Sequence, residues 1–344
     1  MWLISVRDLA WRRRRFAIAV AATGLVFALA LLLSGVSASF DNEIERTAAS
    51  FGADRWFVSA STFGPFTAPS AFPQSRVGAV RTLPGVTRAD PVAVVGATTT
   101  TPRKRSVNVI GAVPGGVGPA PAGSLVHATD ALADASLGLD VGDTLTLNGA
   151  SFTVSGVTHG RTFFAGIPTV VVSLRAAQRL GLDGRPLATA IVARGTPSAI
   201  PRGFNVLTNS EVRVDLSRPV AQAKQTINLV RWLLWIVAAG IIGAIVYLSA
   251  LERTTEFAVL KAVGVSTKDV ALGLVSQAVL LAILAVALAV LLEIAAAPAA
   301  AMSVEVPTLS YLTLPLLALV VGVLASALAL RRALRVDPAL AFAG

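Results

Sequence analysis

Four long stretches without a charged side chain constrain the fold of this chain more than any other feature of its sequence. They run over Phe16–Val36, Trp232–Leu251, Val270–Leu292 and Leu309–Leu330. As helices rising 1.5 Å per residue, stretches of about 20 residues cross a hydrocarbon core of about 30 Å. The chain is 54% hydrophobic and 14% charged, against roughly 25% charged residues in a soluble domain. The sequence therefore excludes a wholly water-soluble fold and predicts an α-helical membrane protein with four transmembrane helices.

Basic residues near the ends of these stretches predict which side of the membrane each end faces, because short cytoplasmic loops are enriched in Lys and Arg. The loop between the third and fourth stretches contains neither Lys nor Arg, and Asp41, Glu43 and Glu45 follow the first stretch. Both termini and the loop between the second and third stretches are therefore predicted to be cytoplasmic. The basic residues that decide this are Arg7, Arg12–Arg15, Arg253, Lys261, Lys268, Arg331, Arg332 and Arg335.

Roughly 190 residues separate the first two stretches, which is enough for one extracytoplasmic domain. The predicted order is a cytoplasmic amphipathic N-terminal helix (1–15), the first transmembrane helix (16–36), the extracytoplasmic domain with flanking stalk helices (37–228), the second transmembrane helix (229–251), a cytoplasmic helix (252–269), the third transmembrane helix (270–294), a short outer loop (295–308), the fourth transmembrane helix (309–330) and a cytoplasmic tail (331–344).

The first stretch has one alternative interpretation, as a secretory signal, because Val36-Ser37-Ala38-Ser39 imitates a cleavage site. Its apolar run of about 20 residues exceeds the 7 to 15 residues of a signal core. We therefore predict a retained span and keep cleavage as the alternative.

Within the predicted outer domain, strand and turn patterns alternate with a helical one. Thr144–Leu147 and Ala150–Val157 flank Asn148-Gly149, a pair typical of a tight hairpin turn. The pattern ends with a strand at Pro168–Val172, a short helix capped by Ser173 and ending near Gly181, and a strand at Leu187–Val192. This alternation predicts a small α+β domain inserted between the first and second transmembrane helices.

Helical periodicity continues on both sides of the outer domain. We expect the first two spans to extend outward as amphipathic stalk helices. Two short surface helices that only begin and end the domain are the alternative that periodicity leaves open. The apolar residues that recur at helical spacing are Phe40, Ile44, Ala48 and Phe51 after the first span, and Val220, Ala223, Ile227 and Val230 before the second.

The chain carries little of the chemistry that catalysis or metal binding requires. It has no Cys, and its two histidines, His127 and His159, have no partner at ligand or triad spacing. A phosphate-binding G-x-x-x-x-G-K-[ST] loop is absent, because Gly264–Lys268 has the wrong order. We predict a non-catalytic chain that binds no cofactor and no metal. The net charge of +10 is assigned to anionic lipid and cytoplasmic flanks rather than to nucleic acid.

The segment between the second and third spans keeps an apolar face although it lies outside the predicted membrane. Phe257 and Leu260 share one helical face with Gly264, which is placed for a C′ cap. Such a surface must be buried on lipid or on a partner. Docking of this helix into a groove of a cytoplasmic protein is the functional interpretation.

This segment resembles a known family. Glu252-Arg253-x-x-Glu256-x-Ala258-x-Leu260-Lys261-Ala262-x-Gly264-x-Ser266-x-Lys268-Asp269 is similar to the signature of the FtsX-like permeases, the membrane subunits of MacB-type (type VII) ABC systems. Arg12–Arg15, Leu137–Val154 and Arg331–Ala341 agree with the same family, as does the arrangement of one span, a large outer loop and three further spans. The resemblance covers nearly the whole chain, and in size it is closest to DevC-like permeases.

The resemblance implies a permease of the bacterial cytoplasmic membrane that pairs with a second protomer, as a homodimer or a heterodimer. It implies two copies of a separate cytoplasmic ABC ATPase, which hold the ATP and Mg²⁺, and leaves open an extracytoplasmic adaptor or enzyme as a further partner. Carried over from the family, segment 252–269 is the coupling helix. Its expected ATPase contacts are Glu252, Arg253, Glu256, Phe257, Leu260, Lys261 and Gly264.

Three functions stay open at this point. The first is ATP-driven export or extracytoplasmic mechanotransmission, the second an FtsX-like regulator of an envelope enzyme such as a cell-wall hydrolase, and the third a membrane-anchored receptor without energy coupling. For Glu252 and Arg253, a role as charges at the membrane boundary is equally consistent with the sequence.

Small residues spaced four apart in the spans predict close contacts between helices. Contact within one chain is the default, and contact between two protomers is the alternative. The pairs are Ala239/Gly243 and Gly240/Ala244 in the second span and Gly322/Ser326 in the fourth.

Overall fold

The computed structural model describes residues 13–68, 70–252, 256, 259, 263–296 and 306–334. In chain order the described elements are helix α1 (Arg13–Ser50), strands β1 (Arg55–Ser59) and β2 (Phe72–Pro73), helix α2 (Val77–Arg81), strands β3 (Val86–Thr99), β4 (Arg105–Ala112), β5 (Asp130–Asp134), β6 (Thr144–Leu147), β7 (Ala150–Thr158), β8 (Thr162–Phe163) and β9 (Ile167–Ser173), helix α3 (Leu174–Gly181), strands β10 (Leu187–Ala188), β11 (Ala190–Gly195) and β12 (Phe204–Thr208), and helices α4 (Asn209–Glu252), α5 (Thr267–Ala296) and α6 (Thr308–Leu334).

The chain forms two compact units. One consists of Phe40–Ala223, and the other combines the residues up to Ser39 with those from Lys224 onward. Most of the predicted N-terminal helix (1–15), of the outer loop (295–308) and of the tail (331–344) lies outside the described residues.

The unit Phe40–Ala223 is built on one sheet of ten described strands, in the order β12-β1-β11-β3-β4-β9-β5-β7-β6 with β8 added on β9. The strand at the end of this order, β6, returns to β3 through the pair Thr99 and Leu147. Strands β3, β4, β9, β5, β7 and β6 therefore close into a ring. The pairs β4–β9 and β5–β7 are parallel, so the domain mixes both strand orientations with helices, as an α+β fold does.

Alternate residues of β3 serve two separate apolar cores, because successive side chains of a strand lie on opposite faces. Val95 belongs to the core inside the ring, together with Val109 and Leu147. Val92 belongs to a second core on the other face. That second core also contains Trp56, Ile110 and Val171 from the sheet, Ala48 and Phe51 from α1, and Val212 and Leu216 from α4.

Local predictions for this unit are confirmed at the hairpin and at α3. Strands β6 and β7 pair in the register Leu147–Ala150, with Asn148 at φ +46° and Gly149 at φ +84°, the left-handed pair that a type I′ turn requires. Ser173 caps α3, because its side chain accepts a hydrogen bond from the Ala176 amide. Tight turns and caps are decided by neighbours in sequence, which is why the pattern alone locates them.

The strand predicted at Leu187–Val192 is wrong as a single element. The structure divides it at Thr189 into β10, which pairs with β2, and β11, which pairs with β1 and β3. The Thr189 amide donates to the Val92 carbonyl at 2.9 Å, and its hydroxyl accepts from the Val94 amide at 2.9 Å. These bonds to β3 end one ladder and start the next.

Helices α1 and α4 are each continuous from an apolar segment into the unit Phe40–Ala223, so the alternative of two short surface helices is wrong. On α1 the predicted stripe is confirmed, since Phe40, Ala48 and Phe51 are buried. On α4 the stripe begins earlier than predicted. Val212, Leu216 and Val220 are buried at four-residue spacing, whereas Ala223 is exposed.

The other unit is a bundle of apolar helices. Among the described residues, three helical stretches are long and apolar enough to cross a membrane: Phe16–Ser50, Asn209–Glu252 and Leu272–Ala296. The fourth predicted span (309–330) falls in α6, whose apolar stretch Thr308–Val320 is shorter. The fourth span therefore stays a prediction. The bundle core includes Phe27 and Leu31 of α1, Ile242 of α4, Leu281 and Ala285 of α5 and Ala318 of α6.

Candidate functional site

The predicted coupling segment is partly described. Glu252 and Glu256 are exposed at its surface. Val259 and Val263, one helical turn apart, are 49% and 80% exposed, so an apolar strip is open on this segment. Four of the expected ATPase contacts lie outside the described residues, namely Arg253, Phe257, Leu260 and Lys261.

A glycine and a serine separate this segment from α5. Gly264 has a φ of +97°, the left-handed region that favours glycine where a helix ends. Two residues later, the Ser266 hydroxyl accepts from the Asp269 amide at 3.2 Å and donates to the Asp269 carboxylate at 2.6 Å. The first bond is an N-cap at the start of α5, and the second joins the two side chains. Ser266 and Asp269 entered the family resemblance, but the cap that they form was not predicted, although the S-x-x-D spacing signals it.

The predicted helix-packing glycines have different surroundings. A Cβ added at Gly240 would meet nothing within 4 Å, so this residue is exposed and makes no close helix contact in the described part of the chain. Gly243 is half-buried. The surroundings of Gly322 and Ser326 in α6 lie outside the described set. Among the described residues, a close helix contact is found at Gly24, where an added Cβ would lie 2.9 Å from Leu288 Cδ2.

Two polar pairs, one buried and one partly buried, join helices of the bundle. Gln277 of α5 donates from Nε2 to the Ser249 hydroxyl of α4 at 3.0 Å. Tyr311 of α6 donates to Glu293 Oε2 of α5 at 2.9 Å, and Glu293 is 3% exposed. Polar side chains inside an apolar bundle are retained where they find partners across helices. These bonds give the bundle a defined register.

Helix α1 holds the β8–β9 hairpin through a buried carboxylate. Glu43 is 6% exposed, and its two oxygens accept from the Ala165 and Gly166 amides at 3.0 Å each. One turn further along α1, the Thr47 hydroxyl donates to the Thr162 carbonyl at 3.2 Å. Charge-assisted bonds to two successive amides are stronger than neutral ones, so Glu43 fixes this hairpin to α1.

The hairpin held by Glu43 is strained. Phe164, Ala165 and Gly166 have φ values of +45°, +66° and +90°. A left-handed backbone costs a residue with a Cβ about 1 to 3 kcal/mol, and such strain persists only where the surroundings over-determine it. The two bonds from Glu43 are part of that over-determination.

Helix α4 holds a second loop in the same way. Asp215 is fully buried, its Oδ2 accepts from the Phe66 amide at 3.0 Å, and its Oδ1 accepts from the Thr67 hydroxyl. A Cβ at Gly64 would overlap the Asp215 carboxyl carbon at 1.8 Å. Only glycine therefore fits beside this acid.

The two helices are also joined directly within the unit Phe40–Ala223. Arg213 Nη2 of α4 donates to Glu45 Oε1 of α1 at 2.7 Å. The Asn209 side chain accepts from Trp56 Nε1 at 2.9 Å and donates to the Ala53 carbonyl at 2.7 Å, which ties the start of α4 to the chain after α1. The anchoring roles of Glu43, Glu45 and Asp215 were not predicted from the sequence, because the groups that they bind here are more than 100 residues away in the chain.

Comparison with known proteins shows which family has this organisation. The description "FtsX-like permease C-terminal" matches residues 228–338, and "MacB-like periplasmic core domain" matches residues 16–216. The chain belongs to the FtsX-like ABC transporter permeases. The resemblance seen in the sequence is thereby confirmed, and this permease is an integral membrane protein with an α+β domain.

Some relatives match this permease over the whole chain, and solved domains of other proteins match part of it. It is 38% identical over 348 residues to an uncharacterized ABC transporter permease of Mycobacterium bovis, and 37% identical over 351 residues to one of Mycobacterium tuberculosis, with 100% of each chain covered. The periplasmic region of MacB from Actinobacillus actinomycetemcomitans matches with 10% identity and a TM-score of 0.34, covering 51% of this chain and 97% of that one. The extracellular domain of YknZ from Gram-positive bacteria matches with 11% identity and a TM-score of 0.33, covering 45% and 100%.

Proposed function

We propose that this permease couples ATP hydrolysis by a separate cytoplasmic ABC ATPase to a movement of its outer domain, for export or for extracytoplasmic mechanotransmission. The observation that carries the proposal is the pair of continuous helices α1 and α4. Each contains an apolar segment able to cross a membrane, and each holds a loop of the outer domain through a buried carboxylate. A displacement of either helix is therefore passed to the sheet and its loops.

The proposal assigns the energy source to a partner. The ATP and Mg²⁺ lie in the ATPase. The proposed contact with it is formed by Glu252, Arg253, Glu256, Phe257, Leu260, Lys261 and Gly264. The exposed strip at Val259 and Val263 supports docking of this segment into a groove of that partner. Two ATPase copies and two permease protomers complete the proposed assembly.

The proposed topology has four spans in the bacterial cytoplasmic membrane, with both termini in the cytoplasm. The uncharged stretch Leu309–Leu330 and the arginines that follow it support the fourth span. With four spans, the segment that follows α4 and the C-terminal tail face the same compartment as the ATPase.

Purification in mild detergent tests the coupling. We expect a stoichiometric ATPase subunit to elute with the permease, and vanadate-sensitive ATP hydrolysis in the same fractions. Reproducible absence of an ATPase from intact, folded permease would contradict the proposal and favour a membrane-anchored receptor.

The contact itself is tested by Leu260→Asp, which places a charge on the apolar face of the segment. The expected result is loss of ATPase co-elution with unchanged membrane insertion, because the carboxylate would be buried without a partner. Val126→Asp is the matched control, since Val126 is 73% exposed in the outer domain and the same substitution there leaves co-elution intact. If Leu260→Asp retains the ATPase as Val126→Asp does, the assigned contact is wrong.

A further inference from the structure

A cavity of about 480 Å³ opens on the sheet of the outer domain, within the unit Phe40–Ala223. Its floor is formed by neighbouring strands β3 and β4, and one wall by the β8–β9 hairpin. Sites for small molecules typically have volumes of about 300 to 1,000 Å³. The cavity has the size of such a site.

Glycine creates the floor of the cavity. Gly96 of β3 lies opposite Asn108 of β4 in the ladder, and a Cβ at Gly96 would meet nothing within 4 Å. Glycine inside a strand weakens it and often marks close approach of a ligand. The residues two positions deeper on the same face, Val94 and Ile110, lead to the packed core around Ile110. The packed core around Ile110 therefore ends at Gly96, where the missing side chain leaves space for the cavity.

The walls are aromatic. Phe66, Phe163 and Phe164 line the cavity, with ring centroids 5.3 Å apart for Phe66 and Phe163 and 3.8 Å apart for Phe163 and Phe164. The loop that carries Phe66 is held by Asp215, and the strained hairpin that carries Phe163 and Phe164 is held by Glu43. The fold thus maintains this aromatic lining against a backbone cost.

One polar group on the cavity has no hydrogen-bond partner in the part of the chain that the structure describes. The Asn108 side chain lines the cavity and is 7% exposed, and its Nδ2 makes no hydrogen bond with any described residue. The cavity's other asparagine, Asn148, uses both ends of its amide, accepting from the Thr98 amide at 2.8 Å and donating to the Leu180 carbonyl at 3.3 Å. A buried donor without an acceptor is costly and is rare in native structures.

We propose that this cavity binds a small uncharged molecule with an aromatic or branched apolar body and a carbonyl-type oxygen that accepts from Asn108 Nδ2. The three phenylalanines take the apolar body, and the amide fixes its orientation. The ligand is uncharged because none of the residues lining the cavity carries a charge, and an unpaired ion there would lose its hydration without compensation. This site is separate from the coupling segment, so the proposal does not rest on the proposed function.

Acetophenone and ethylbenzene are suitable probes, because they share an apolar ring and differ in the acceptor oxygen. Binding to the full-length permease in deuterated detergent is measured by ligand-observed saturation-transfer NMR. Partition into micelles is the same for every variant and cancels in the comparison. The two probes are therefore compared through the ratio of their affinities, which we expect to favour acetophenone about fivefold more in the wild type than in a variant without the Asn108 amide. A factor of about five is the value of one neutral hydrogen bond.

Two substitutions fill the cavity, Gly96→Leu and Ser106→Leu, on its two floor strands. Both are expected to weaken acetophenone binding at least tenfold. Gly78→Leu is the matched control, since Gly78 is exposed on α2, away from the cavity, and a Cβ there meets nothing within 4 Å. Thermal midpoints report folding, and Ser106→Leu decides the test if Gly96→Leu does not fold.

Asn108→Leu tests the role of the amide separately from that of the cavity. We expect it to lower the ratio of acetophenone to ethylbenzene affinity about fivefold while both still bind, and to raise the thermal midpoint, because an unpartnered buried amide is removed. The same affinity ratio in the wild type and in Asn108→Leu would overturn the role of Asn108. Binding to the wild type no tighter than to both cavity-filling variants would overturn the site itself.

Discussion

At the scale of single residues, Glu43 holds the geometry of the β8–β9 hairpin. Its two carboxylate oxygens accept from successive amides of a left-handed turn. In Glu43→Gln one of these acceptors becomes an N–H₂ group facing an N–H donor. We expect the free energy of unfolding to fall by about 1 to 3 kcal/mol. For a domain of this size, each kcal/mol lowers the thermal midpoint by about 2 to 4 °C.

Glu45→Gln is the control for that prediction. It lies two residues away on α1 and pairs with Arg213, but both side chains are about half exposed, and such pairs contribute about 0 to 1 kcal/mol. If Glu43→Gln melts at the same temperature as Glu45→Gln, the hairpin does not depend on the Glu43 carboxylate.

At the scale of secondary-structure elements, α4 begins with a reciprocal cap. The Thr208 hydroxyl accepts from the Glu211 amide at 3.3 Å, and the Glu211 carboxylate accepts from the Thr208 amide at 2.7 Å. Two hydrogen bonds lower the pKa of Glu211 below its usual value. The larger contribution comes from the Thr208 amide and the smaller one from the Thr208 hydroxyl. The charged form of Glu211 is therefore favoured by folding.

A pH dependence follows from that direction. Because the folded pKa of Glu211 is depressed, its stabilisation is fully present above the unfolded pKa, about 4.3, and is lost as the pH falls through the folded pKa. We expect Glu211→Gln to melt below the wild type at pH 6 and the two to converge toward pH 3. The measurement is the thermal midpoint across this pH range. A constant difference between the two proteins would count against the carboxylate cap.

Helix contact in the bundle provides a second prediction at this scale. Gly24→Ala places a Cβ 2.9 Å from Leu288 Cδ2 and 3.1 Å from its Cβ, so we expect overpacking to cost about 1 to 3 kcal/mol. Gly240→Ala, in open space, is expected to leave the thermal midpoint of the protomer unchanged. Equal midpoints for the two variants would place the α1–α5 contact elsewhere.

The elements that sequence predicts are those that local chemistry decides. The Asn148-Gly149 hairpin, the Ser173 cap and the apolar stretches all follow from residues within a few positions of each other. The return of β6 to β3, the division at Thr189 and the anchors Glu43 and Asp215 depend on partners that are distant in the chain. Single-sequence periodicity carries no information about such pairs, so these parts of the candidate site were missed.

At the scale of the whole molecule, the sequence contains no cysteine, so the membrane topology can be tested by labelling single introduced cysteines without background labelling of native ones. We expect a membrane-impermeant maleimide to label Lys104→Cys in intact cells, and Lys268→Cys and Ala343→Cys only after permeabilisation. Lys104 and Lys268 are exposed in the structure. Labelling of Ala343→Cys in intact cells would instead indicate three spans, because an odd number places the two termini on opposite sides.

The two buried acids have a consequence for energy transfer in this permease. Asp215 of α4 and Glu43 of α1 hold the two segments that carry one aromatic lining, and both helices extend into apolar segments. Coupling free energies are reciprocal. A shift of either helix that alters the spacing of the phenylalanines changes the affinity for an occupant, and the occupant resists that shift by the same free energy. Ligand binding in the cavity and displacement of helices α1 and α4 are thus thermodynamically linked, so that a measured change in one reports the other.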